Sequence, residues 1–308
     1  MMRSSTFEMA ISPPFRLDLT AWALRRRATN SMDRWEDGHY SRTVVLEDDA
    51  FDMVISQIGG GHRPVLQVTL SGPSGADTEA VENAARSLVS KMLGTSVDLR
   101  PFYALAEGSD VLRPLAERFL GLKPPRFPTL FEALVNAIAC QQVSLDSGIR
   151  TLNRFSERFG RRLEGGTGAR SFPRPEDLAS ISEDEIKAVG LSRQKALAIK
   201  RIANDGQAIE NALAGAEQMS DAEILSYLST IRGIGRWSAE YVLLRGLGRL
   251  DMFPGDDVGA RNNLQRLFHL DEKPDYERIK ELTSSWRPYQ GLVYFHLLLN
   301  NLQAKGLV

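Results

Sequence analysis

At 308 residues the chain can form two or three compact units, and 43% hydrophobic with 25% charged residues is the balance of a soluble globular protein. One cysteine, Cys140, excludes an internal disulfide framework and any multi-cysteine metal cluster, and His39, His62, His269 and His296 lack metal-ligand spacing. The net charge of −1 argues against a broad basic groove; no apolar run reaches the ~20 residues that cross a bilayer, and the start MMRSSTFEMAISPPF has no signal-peptide core, so a cytoplasmic protein is expected.

Residues 1–112 read as a small α+β unit. Segments 43–46, 51–57 and 65–70 are β-branched or alternate apolar with polar residues, bounded by Glu47-Asp48-Asp49 and Gly59-Gly60-Gly61. Helices are expected over 19–28 and 76–92, the second with an apolar stripe of Val81, Ala84, Ala85, Leu88 and Val89. Strands followed by a helix imply a small antiparallel sheet with helices on one face.

From Phe102 onward the pattern is almost wholly helical. Residues 122–128, LKPPRFP, form a stiff loop that cannot become helix before its last proline. Thr129 with Glu132 then opens the helix TLFEALVNAIACQQVS, at whose end stand Gln141, Gln142 and Ser144. A Gly- and Arg-rich loop covers 160–170, and Ser182 with Glu185 starts a helix that stops at Gly190 and turns into a basic helix around Lys195. Positive charge gathers between positions 150 and 200, so affinity for a polyanion should be modest and salt-dependent.

Ser220 with Glu223 caps a further helix bearing Ile224, Leu225, Leu228 and Ile231. Gly233 and Gly235 interrupt it, and a second amphipathic segment with Trp237, Tyr241, Val242 and Leu244 begins almost at once. Residues without Cβ turn this sharply at little steric cost. Such a turn offers bare N–H groups at the positive end of a helix, a site that attracts phosphate oxygens. A Pro-Gly loop then delivers Asp256 and Asp257 to the start of a helix over 258–268, and SSWRPYQGLVYFHLLLNNL closes the chain as a buried helix.

The hairpin IRGIGRWSA and the following FPGDD resemble the helix-hairpin-helix of base-excision DNA glycosylases and the Gly/Pro-rich loop with aspartate that complete that signature. Nearest is the DNA-3-methyladenine glycosylase II family, a resemblance over nearly the whole chain that includes PPF near the start, HYSR at 39–42 and a W-x-P motif at 286–288. It implies an α+β fold: the N-terminal sheet domain, then an all-α core at 113–308 of two helical subdomains, a central bundle at about 130–246 and a second part from 113–129 and 247–308. Asp257, 20 residues after Trp237, takes the register of the catalytic acid. Trp237, Tyr241 and, beside a pocket position, Trp22 are the implied base pocket, although packing of its helix on the sheet is the preferred reading of Trp22. Gly233, Ile234, Gly235, Arg236 and Ser238 are implied at the DNA backbone. The family's wedge falls near Pro124 or Pro125, whereas size favours Arg126 or Phe127. No cofactor or catalytic metal is implied, but a structural Na or K ion would be ligated by the carbonyls of Ser229, Ile231 and Gly233. Leu298 replaces a pocket tryptophan of a relative, which implies a different range of excised bases. The implied partner is double-stranded DNA containing damaged bases, bound by a monomer at the nucleoid.

The residues permit the chemistry that the resemblance implies, although taken without it Asp256 and Asp257 read as helix-capping residues. A carboxylate at a helix start is favoured in its ionised form and can steady an oxocarbenium-like sugar or deprotonate water; we give that role to Asp257 and the helix cap to Asp256. An aromatic face stabilises a cation by roughly 0.5–2 kcal/mol, which suits alkylated purines. Bifunctional relatives carry lysine where Trp237 stands, so hydrolysis without strand cleavage is expected. The alternatives are a glycosylase for deaminated or oxidised bases and a non-catalytic DNA-binding hairpin protein.

Overall fold

Five strands precede a run of helices in the computed structural model, which describes residues 2–307. The order is β1 (Met2–Ala10), α1 (Leu17–Arg25), β2 (Arg34–Glu36), β3 (His39–Leu46), β4 (Asp49–Ile58), β5 (Val65–Pro73), α2 (Thr78–Leu93), α3 (Arg100–Glu107), α4 (Arg113–Arg118), α5 (Leu130–Cys140), α6 (Leu145–Phe159), α7 (Glu183–Ala188), α8 (Arg193–Asn204), α9 (Gly206–Ala212), α10 (Asp221–Thr230), α11 (Arg236–Arg245), α12 (Val258–Leu267), α13 (Tyr276–Thr283) and α14 (Gln290–Gln303). The sheet is antiparallel throughout, in the order β1-β5-β4-β3-β2. Its two tightest turns, Asp37-Gly38 and Glu47-Asp48, have both residues at positive φ, the twist that suits a two-residue hairpin.

The fold class is as expected from sequence, with two strands more than the pattern announced. β1 is an edge strand on which only Phe7 is fully buried, so it carries almost no apolar signal. β2 is three residues long. The first helix also stops earlier than expected, at Arg25, because Arg26 turns left-handed at φ 64.

Two apolar cores meet along α1 and α11. One runs from the inner face of the sheet, through Tyr40, Met53, Ile55 and Val68, across Val81, Ala85 and Val89 of α2 into α5, α6, α8 and α10. The other joins Leu19 and Ala23 of α1 with residues 99–122, α12 and α14. On α11, Val242 and Leu243 face the first core and Leu244 the second.

A buried ionic clamp ties the sheet to α5. Arg42 donates to Asp33 at 2.7 Å and to both oxygens of Glu132, while the Tyr40 hydroxyl donates to Asp33 at 2.7 Å. Arg42, Asp33 and Glu132 are each 1–2% exposed, so one guanidinium is shared by two carboxylates away from water. The HYSR string thus serves an internal joint.

The proline loop does not project as a wedge. Pro124, Pro125 and Phe127 are buried, and the Arg126 side chain is spent on the carbonyls of Lys91 and Leu247. Phe127 lies instead between two guanidinium groups, 5.3 Å from Arg26 and 5.1 Å from Arg245. Two backbone bonds, Arg126 N–H to Met92 and Phe127 N–H to Arg245, hold the loop down as a strap.

Candidate active site

The hairpin is built as its glycines require. α10 ends at Thr230 with Ile231 as its C-cap, Gly233 sits at φ 101, and the Ile234 N–H closes the turn on the Ile231 carbonyl at 3.0 Å. A Cβ at Gly233 would lie 2.7 Å from that of Ala198, so the hairpin rests directly on α8. Ile234 is buried and anchors the turn. At Gly235 a Cβ would meet nothing within 4 Å, and no side chain caps α11, so the turn is open there and the N–H groups that start this helix have no acceptor among the described residues of the protein. Ser238 is the exception among the expected backbone-contacting residues. It is 1% exposed, and its hydroxyl accepts from Gln141 at 2.8 Å, so it braces the site from inside.

The helix cap expected of Asp256 is made by Asp257 instead. Asp257 is the N-cap of α12, one carboxylate oxygen accepting the Ala260 N–H at 2.8 Å. Asp256 instead pairs with Arg236 at 2.7 Å, and that guanidinium lies 3.8 Å over the ring of Tyr276. Capping does not withdraw Asp257 from the cleft, because a carboxylate has acceptor capacity to spare. Its second oxygen faces the Tyr294 hydroxyl at 3.5 Å, the long limit of a hydrogen bond. Burial pushes its pKa above the usual carboxylate value, opposed by the Ala260 and Gly259 N–H groups, by the nearby Trp237 indole and by the Tyr294 hydroxyl.

Asp257, Trp237, Tyr241, Tyr294 and Leu298 line one cleft of about 1150 Å³ between the hairpin, α12, α14 and the end of α5. Trp237 stacks on Tyr241 with centroids 5.3 Å apart at 28°, as their one-turn spacing allows. The buried Trp237 indole N–H has no partner in hydrogen-bond geometry. Trp22 is outside this cleft. It packs on the second core, one turn before Arg26, which does reach the cleft.

Two features escaped the sequence reading. Arg26 is a charged wall residue, signalled only as one of three consecutive arginines. The other is the loop after α5. Gln141 donates to the Gly233 carbonyl at 2.7 Å and to Ser238, and Lys195 donates to the Ala139 and Gln141 carbonyls at 3.1 and 2.7 Å. So braced, the loop holds Gln142 at φ 53 and leaves Val143 44% exposed at the cleft. An apolar residue directly after a mostly apolar helix, among the polar residues Gln141, Gln142 and Ser144, was the available clue.

Residues 135–288 match the family model of the HhH-GPD superfamily base excision DNA repair proteins. The chain belongs to this superfamily. Within it the chain is 32% identical to the DNA-3-methyladenine glycosylase of Bacillus subtilis (strain 168) over 204 residues, 65% of this chain and 66% of that one. It is 26% identical to DNA-3-methyladenine glycosylase 2 of Escherichia coli (strain K12) over 285 residues, 92% and 94% of the two chains. The structure of a 3-methyladenine DNA-glycosylase from Archaeoglobus fulgidus superposes with a TM-score of 0.81 at 26% identity, covering 95% of this chain and 97% of that one. Among the described residues no helix is long and apolar enough to cross a membrane.

Proposed function

We propose that the chain is a monofunctional DNA glycosylase that takes alkylated purines of the 3-methyladenine and 7-methylguanine type out of duplex DNA and hydrolyses the N-glycosidic bond. The observation that carries this reading is the Asp257 carboxylate, held at a helix start and facing an aromatic wall across a cleft. Ionised, it steadies the positive charge that the sugar gains as the base departs, and it orients or deprotonates the attacking water. Trp237 and Tyr241 supply the aromatic faces. An indole cannot attack the sugar, so the product is an abasic site in an unbroken strand.

The unpaired N–H groups around Gly233–Gly235 hold the phosphate beside the extruded nucleotide. With Arg236 tied to Asp256, that grip relies on the backbone, which fits a chain of net charge −1. Gln142 and Val143, exposed at the cleft mouth, fill the gap that the flipped base leaves. The carbonyls of Ile231 and Gly233 each accept one hydrogen bond and retain a second lone pair, so together with that of Ser229 they fit a monovalent cation that would brace the hairpin. The enzyme acts as a monomer on damaged double-stranded DNA within the cell.

Incubation with methylated duplex followed by chromatography should release 3-methyladenine and 7-methylguanine, with strand breaks seen only after alkali and no borohydride-trapped complex. Absence of both free bases refutes the assignment. Cleavage without alkali refutes the monofunctional part.

A further inference from the structure

Arg26 has no part in the mechanism above, yet it is the most unusual charge in the cleft. It follows the last residue of α1 at φ 64, a left-handed conformation uncommon for a residue with a side chain. The turn sends its side chain under the aromatic wall, where it is 3% exposed. One terminal nitrogen donates to the Tyr241 hydroxyl at 2.8 Å and the other to Asn136 Oδ1 at 2.7 Å; Nε is buried without a partner. Neither acceptor is charged. The nearby carboxylates of Asp33 and Glu132 are committed to Arg42. Arg245 lies close by, 0% exposed, bonded only to the carbonyls of Ala23 and Leu24 and packed on Tyr241. The floor of the cleft therefore carries one guanidinium group, Arg26, with Arg245 packed behind Tyr241 and outside the lining, and neither is bonded to an acid.

That floor acts oppositely on two kinds of leaving group. Hydrolysis of an alkylated, cationic purine breaks the C1′–N bond, the electron pair neutralises the base, water adds hydroxide to C1′ and its proton goes to solvent. A fixed positive charge beside such a base is repulsive from the start. Hydrolysis of an uncharged purine breaks the same bond, but the pair leaves on the base as negative charge, and the proton of the attacking water ends on the base. A guanidinium stabilises that developing anion. Tyr241 is the intermediary: its oxygen accepts from Arg26 and its proton goes to no protein acceptor, so a polarised O–H is available to a carbonyl or ring nitrogen in the cleft.

We propose that Arg26, acting through the Tyr241 hydroxyl, is a specificity determinant that shifts the enzyme toward uncharged purines bearing a hydrogen-bond acceptor, at the expense of cationic ones. The inference rests on the glycosylase reading above. The test compares single-turnover release from two duplexes, one carrying hypoxanthine and one 7-methylguanine, by the wild type, Arg26→Met, Arg26→Lys and Tyr241→Phe.

Arg26→Met should slow hypoxanthine release by at least about tenfold while 7-methylguanine release holds or rises, since an electrostatic donor to a departing anion has been removed. Tyr241→Phe should change the ratio in the same direction. Arg26→Lys, which keeps the charge, should leave the ratio within about threefold of wild type. An equal fall on both substrates would mean a purely structural arginine and overturns the proposal, as does an unchanged ratio, or a wild type that releases 7-methylguanine but no hypoxanthine. A wild type that releases neither base fails the glycosylase reading instead.

Discussion

Asp257→Asn separates what the residue does for the fold from what it does for the reaction. Asparagine caps a helix about as well as aspartate, so the bond to the Ala260 N–H survives and the capping loss should stay within a few tenths of a kcal/mol. The substitution also removes a carboxylate whose ionisation burial opposes. A carboxyl with a raised folded pKa lowers stability once it is ionised, so the asparagine variant should match or exceed wild type at pH 7, and its advantage should vanish below the ordinary carboxylate range. Asp257→Ala deletes the cap as well and should cost about 1 kcal/mol, within a range of 0.5–2. Both variants should lose release rate by about 10²–10³, the usual effect of removing one preorganised electrostatic group. The assays are single-turnover release of 7-methylguanine from methylated duplex and urea unfolding of each variant. If Asp257→Asn releases base at more than about a tenth of the wild-type rate, the carboxylate is not the group that steadies the sugar. If it is as unstable as Asp257→Ala, the capping account is wrong.

The hairpin glycines should behave differently from each other. Gly235→Ala meets no protein atom and should leave stability unchanged while weakening binding to an abasic-site duplex about tenfold, whereas Gly233→Ala, at φ 101 and against Ala198, should destabilise by at least about 1 kcal/mol in urea unfolding. His296 is 1% exposed beside Phe102 and Phe119, and burial lowers its pKa to about 4. Its neutral form is the folded one, so stability should be full above pH 6.5 and fall by up to about 3 kcal/mol as pH drops to 4, a loss that urea titrations of His296→Gln should not show. Arg42→Ala strands Asp33 and Glu132 as buried charges and should cost about 3–5 kcal/mol by the same measurement.

Much of the fold was legible because the deciding signals are local. The boxes at Ser182 and Ser220 form with both reciprocal bonds present, and Thr129 caps α5 where expected. The glycine turn and its acidic companion also stand out, since few other residues could make that bend. What the string of letters concealed was set by contacts far apart in sequence. β1 is a mostly exposed edge, so nothing in its own residues announces a strand. Arg26 reads as one more surface arginine until α1 stops short and brings it to Tyr241, 215 positions away. The proline loop was expected to carry the wedge, yet Phe127 is 1% exposed, its ring close to the Arg26 and Arg245 guanidinium groups. The capping aspartate differed for a geometric reason, since the side chain one position nearer the helix is the one that reaches the Ala260 N–H.

The joint between Arg42, Asp33 and Glu132 makes the sheet a foundation for the cleft that none of its strands enters. Remove the strands, and Glu132 becomes a lone anion inside the helix whose far end carries the Gln141–Val143 loop. A shorter relative without such a sheet would therefore have to carry an uncharged residue at the place of Glu132, or supply another cation, before its own loop could hold station over DNA.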